Sequence, residues 1–245
     1  MRRSSLLIVC LGALLLAACG GGGGDRSDAR SASIDAIQLA ANNTQSAEST
    51  RYEVDMRSDQ FDMHASGVLS GDGRTGQAVL ETSRGRVEQR VVDGVAYIDF
   101  GGLDIAGVEP ADGKRWVKLD LGGLADALGD DVPGFGAQTP GSALDMLQDL
   151  AGDVEVLGDD TIAGHHAVHY RATTETGGTS TPVDVWIDDQ DRVVKMQVTM
   201  PEGMGELTMQ ITEFGVPVDV LAPPEEEVAD LGDFISDLLP DGIHI

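Results

Sequence analysis

VDVWIDDQDRVVKMQVTM, residues 183–200, holds two short apolar runs, VDVWID and VVKMQVTM, around a polar turn, DDQDR. Runs of this length bounded by turn residues read as strands, and so short a turn makes them antiparallel neighbours. GELTMQITEF, residues 205–214, follows as a third strand, so the segment predicts an antiparallel meander. Just upstream, TIAGHHAVHYRATTE, residues 161–175, reads as one more strand.

The same period of two runs through the first half of the chain. In TRYEVDMRS, Tyr52, Val54 and Met56 alternate with Arg51, Glu53, Asp55 and Arg57, and FDMHASGVLSG repeats the pattern through Phe61, Met63, Ala65 and Leu69. Gly71-Asp72-Gly73 is a turn into TGQAVLETS. RVEQRVVDGVAYIDF is a hairpin whose Asp93-Gly94 supplies the positive-φ positions of a tight turn, and KRWVKLDL adds a strand. Two stretches have helical spacing instead. The first is SASIDAIQLAANNTQSAES, with Ile34, Ile37, Ala41, Thr44 and Ala47 near one face. The second is residues 122–151, where LADAL and SALDMLQDLA flank a loop, with Ser142 as N-cap and Gly152 as the stop. The tail PPEEEVADLGDFISDLLP places Val228, Leu231, Ile235 and Leu238 at helical spacing. One helix, several strands, a helical insertion and more strands make an α+β fold. The expected form is a strongly curved antiparallel sheet, a half-barrel, wrapped around the helices.

Composition narrows the function. Acidic residues outnumber basic ones 42 to 16, for a formal net charge of −26. Such a polyanion repels phosphate backbones, which excludes nucleic acid as a partner, and anionic headgroups, so membrane attachment needs a hydrophobic anchor. Both cysteines, Cys10 and Cys19, lie in the first twenty residues, so no disulfide, thiol nucleophile or Cys-based metal site serves the domain.

The leader supplies the anchor. Met1-Arg2-Arg3 is a positive start, Ser4 to Ala18 is mostly apolar, and Leu16-Ala17-Ala18-Cys19 resembles the bacterial lipobox, cut between Ala18 and Cys19. The Cys19 thiol accepts a diacylglyceryl group, and its acyl chains (palmitate and the like) hold the protein on the extracytoplasmic face of the cell membrane. Loss of Arg2 and Arg3 with the leader leaves 14 basic against 42 acidic residues, a net charge of −28. Gly20 to Gly24 and DRSDARSAS then read as a flexible tether spanning roughly 20 Å. The expected organisation is a signal peptide over 1–18, lipidated Cys19 and tether over 19–30, a domain over 31–232 and an acidic tail over 233–245.

The order of elements resembles the LppX/LprAFG family of actinobacterial lipoproteins, whose domain is similar to the LolA/LolB half-barrel. The resemblance rests on the lipobox, on Gly158-Asp159-Asp160-Thr161-Ile162-Ala163-Gly164 leading to His169-Tyr170, and on Val183 to Asp188 before a turn with Lys195 in the next strand. Phe214-Gly215-Val216-Pro217-Val218 and Ala222-Pro223-Pro224 complete it. It implies an envelope lipoprotein whose cavity holds the acyl chains of a lipid or lipoglycan, and it implies no polar ligand contacts. A second reading of such half-barrels is a non-enzymatic envelope regulator or scaffold gripping a partner protein, which an acidic surface would steer if that partner is basic.

Catalytic and metal motifs fail on inspection. His165 and His169 would share a helix face, but on a strand they stand about 13 Å apart, with His166 on the other side. Asp188 to Asp191 lacks the EF-hand pattern, since Arg192, Val193 and Thr199 occupy its fifth, sixth and twelfth positions. There is no G-x-S-x-G elbow, so the chain reads as a non-enzyme with no cofactor. The candidate site is the concave apolar face, with Val54, Met56, Leu69, Leu80, Val92, Trp116, Met196, Val198, Met209 and Ile211 as its lining. The loop Val132-Pro133-Gly134-Phe135-Gly136 is a candidate gate.

Overall fold

The computed structural model describes residues 26–59, 62–103, 114–120, 140–176, 179–200 and 205–230. The leader, Cys19, the glycine run, Phe61, LADAL, the loop at 132–136 and the tail after residue 230 lie outside them.

Helix α1 (Arg26–Gln45) begins within the stretch read as tether, ahead of the expected Ser31. Its inner face buries Ile37, Ala40, Ala41 and Thr44, with Ile34 packed alongside. Six strands follow: β1 (Ser49–Arg57), β2 (Asp62–Ser70), β3 (Gly76–Thr82), β4 (Gly85–Val92), β5 (Val95–Leu103) and β6 (Trp116–Asp120). Helix α2 (Pro140–Asp145) and a 3-10 turn (Met146–Asp149) lead into β7 (Leu150–Ile162) and β8 (His165–Thr176). Then come β9 (Thr179–Asp188), β10 (Val193–Met200), β11 (Gly205–Phe214) and a last short strand, β12 (Val228–Asp230).

These strands form one sheet in the order β12-β6-β5-β4-β3-β2-β1-β11-β10-β9-β8-β7. The sheet is large, open and curved, as expected, and β9–β10–β11 is the meander read from residues 183–214. Neighbours pair antiparallel throughout, save β12, which runs parallel to β6. Asp93 (φ 54°) and Gly94 (φ 84°) form the β4–β5 turn with both residues left-handed. Ala163 (φ 49°) and Gly164 (φ 84°) repeat that geometry between β7 and β8, dividing what reads in sequence as one strand.

Three expectations are corrected. Ser142 lies inside α2, which already includes Pro140, so it is not an N-cap. Gly152 does not stop a helix; it sits in β7 with φ 81°, where the register with β8 shifts between Ala151 and Glu155. LAGDVEVLGDDTI is glycine-rich and interrupted by bulges, which conceals its period from the sequence. Val228 belongs to β12, with Ala229 buried against β6, because pairing with that edge overrides the helical spacing.

The turn DDQDR is built by one carboxylate. Asp188 Oδ1 accepts the amides of Gln190 and Arg192, while Oδ2 holds the Arg192 guanidinium at 2.7 and 3.0 Å. The end of α1 docks on this turn: Asn43 Nδ2 donates to the Asp191 carbonyl, and the buried Thr44 hydroxyl accepts the Val193 amide at 2.8 Å. The main core therefore joins α1, α2 and the 3-10 turn to the inner faces of β1, β2 and β7–β11.

Candidate functional site

The concave face carries two apolar clusters. The larger is the main core just described, in which Leu144 and Leu147 of the second helical segment are nearly or fully buried. The smaller comprises Val91, Ala96 and Leu119 on β4, β5 and β6, with Ile98 and Val117 also buried in those strands. A cleft of 350 Å³ opens where the two meet. Leu144, Pro140 and Gly141 of α2 form one wall; Leu69, Gln89 and Val91 form the sheet wall, and Thr44, Gln45, Ser70 and Asp72 lie around it. Apolar walls with a few polar groups, at this volume, are the usual make-up of a small-molecule site. At the polar margin the Ser70 hydroxyl and the Arg74 amide both donate to Asp72 Oδ1, which lowers its pKa.

Of the ten lining residues expected from sequence, Leu69 is the one that borders this cleft. Met56 and Leu80 pack at the margin of the main core. Val54, Met196, Val198, Met209 and Ile211 are buried inside it, pressed between sheet and helices, so they fill space and do not line it. Val92 and Trp116 lie on the opposite, convex face. Strand alternation puts Val91 inward beside Ala96, which sends Val92 outward, and Val117 and Leu119 take the inner positions of β6. Trp116 is buried there beneath Arg90 and Arg115, whose guanidiniums stand 4.5 and 5.4 Å from its ring centre. Glu88 and Asp99 tie these arginines down, the Arg115–Asp99 pair at 2.6 Å.

The convex face also absorbs His165 and His169, while His166 lies on the other face of β8. His169 stacks on Trp186 at 4.0 Å between ring centres and bonds to Asp184 at 2.7 Å, while Arg171 bonds to the same carboxylate. The Trp186 indole donates to Asp160, which, after the Thr161 amide, is the second cause lowering that carboxyl's pKa. His165 meets Phe214 edge-on, and His166 bonds to Asp189, which raises its pKa. His165, His166 and His169 thus have separate partners.

No protein-family model matches the chain. A large, open, curved sheet with few helices is the half-barrel fold expected from the sequence. The chain is 29% identical over 224 residues to SCO4650 of Streptomyces coelicolor, a protein whose name classes it as a lipoprotein; the match spans 83% of this chain and 77% of that one. Its fold is similar to lipoprotein LppX of Mycobacterium tuberculosis (TM-score 0.55, 14% identity, 78% of this chain and 99% of that one). LprF of Mycobacterium bovis gives a TM-score of 0.53 at 16% identity, over 79% and 97%. The expected likeness to the LppX/LprAFG lipoproteins is borne out, by a homologue in sequence and by two members in fold.

Proposed function

We propose that this protein is a membrane-anchored envelope lipoprotein, not an enzyme, that holds a hydrophobic ligand such as a lipid or lipoglycan in its concave cleft. The observation that carries this reading is the cleft itself, set between two apolar clusters, with Leu69, Val91 and Leu144 in its walls. Each methylene moved from water to such a surface contributes about 0.8 kcal/mol. The polar margin at Gln45, Ser70 and Asp72 would stay with a headgroup. Cys19, the first residue after the proposed cut following Ala18, would carry the acyl chains, and the glycines after it would let an anionic domain stand off an anionic surface.

The ligand reading is tested by uptake of a fluorescent fatty acid. Saturable binding that Val91→Arg weakens at least tenfold, with the circular dichroism spectrum unchanged, is the expected result; no uptake by the folded protein would refute it. The anchor is tested in a bacterial host by labelling with an alkyne fatty acid. Label on the wild-type protein and none on Cys19→Ser is expected, and equal labelling of both would refute the assignment.

A further inference from the structure

The two edges of the sheet are finished differently. At one, β12 adds three residues to β6, and the Arg115 amide bonds to the Glu227 carbonyl just before it. At the other, the 13-residue β7 pairs with β8 and, among the described residues, has nothing on its outer side. A long edge leaves a row of backbone donors and acceptors open to another strand. Val156 and Leu157 stand 56% and 39% exposed on it, two of the few large apolar residues on the described surface. From Gly158 to Ile162 the strand is in regular register with His169 to His165, and a Cβ built on Gly158 would meet nothing within 4 Å. This stretch presents a regular edge to an added strand.

We propose that β7 is a docking edge for an extended, basic peptide segment of a partner protein, which adds to the sheet as a further strand. Charge decides the occupant. Exposed Glu155, Asp159 and Asp160 line the strand. A second copy laid against it would set these carboxylates against their own kind, and like charges across a strand pair are unfavourable. The overall charge of −26 acts in the same direction. A segment alternating Lys or Arg with apolar residues satisfies the backbone and sets its cations beside the carboxylates of one face of the strand, either Glu155 with Asp160 or Asp159, in an acidic setting. Main-chain bonds supply affinity in this mode, and the alternating side chains supply selectivity.

The test uses a ten-residue peptide alternating lysine with valine, its glutamate–valine counterpart, and spermine as a cation without a backbone. Hydrogen exchange should show the lysine peptide protecting amides within residues 155–161, with neither control doing so. Glu155→Lys combined with Asp159→Lys should lower the affinity at least tenfold and leave the melting temperature unchanged. The proposal is overturned by absence of lysine-peptide binding, by protection confined to other strands, by equal protection from spermine, or by no loss of affinity in the double variant. It is also overturned if the protein alone self-associates with β7 protected, which would make a second copy the occupant. None of these outcomes depends on whether the concave cleft binds lipid.

Discussion

The hydroxyl of Thr44 is buried between two elements and serves both. It donates to the Ala40 carbonyl in its own helix and accepts the amide of Val193, each at 2.8 Å. Thr44→Val keeps the shape but strands a buried amide, at a cost of about 1–3 kcal/mol. Chemical denaturation should show that loss, and Thr44→Ser should recover most of it. Tyr52 is a second buried polar group, its phenol pushed up to about 12 by burial. The folded state keeps that proton longer than the unfolded chain, so the contribution is complete below the ordinary tyrosine range near 10. It is lost as pH rises through about 12. Absorbance titration should show one of the three tyrosines ionising near 12, and Tyr52→Phe should remove that step. Neither role could be read from sequence. Helical spacing predicts the inner face for Thr44, but its partner lies 149 residues away.

At the scale of the element, hairpins were legible where the turn residues announce themselves. Asp93-Gly94 has the residue types that left-handed backbone favours, and the turn is where it was expected. Ala163-Gly164 adopts the same backbone with an alanine in the first position, so the sequence hides it. An alanine held at positive φ is strained by about 1 kcal/mol relative to asparagine or glycine. Ala163→Asn should therefore raise the melting temperature by roughly 2–4 °C; calorimetry showing no gain or a loss would contradict this account of the turn. Facing was harder than location. Val91 and Val92 are both apolar, so local pattern does not say which one turns inward, and the register with β3 and β5 decides it. Trp116 is different, because the signal was present: it shares a face with Lys118, while Val117 and Leu119 share the other. The size of the aromatic suggests the concave core, yet two arginines bury it on the convex side.

For the whole molecule, the curved sheet was legible because short turns force sequential strands to be neighbours, and nearly every pair follows chain order. Of the two pairings out of chain order, β12 with β6 and β1 with β11, the second carries no local signal and comes from burying Val54 against Met209. The same β1–β11 pairing explains the misplaced lining. Val54, Met196, Val198, Met209 and Ile211 share the half of the sheet that α1 and α2 cover, so they became core. The cleft moved to the boundary with β4, where Val91 and Leu144 face it. The central claim is that this boundary holds a hydrophobic ligand. Its most direct test is mass spectrometry of the organic extract from the purified chain starting at Cys19, made without acylation. A lipid recovered in near-stoichiometric amount from the wild type, and depleted in a folded Val91→Arg variant, is the result expected here. A folded wild-type protein that repeatedly yields no lipid, from cells or after incubation with membrane extract, would contradict it.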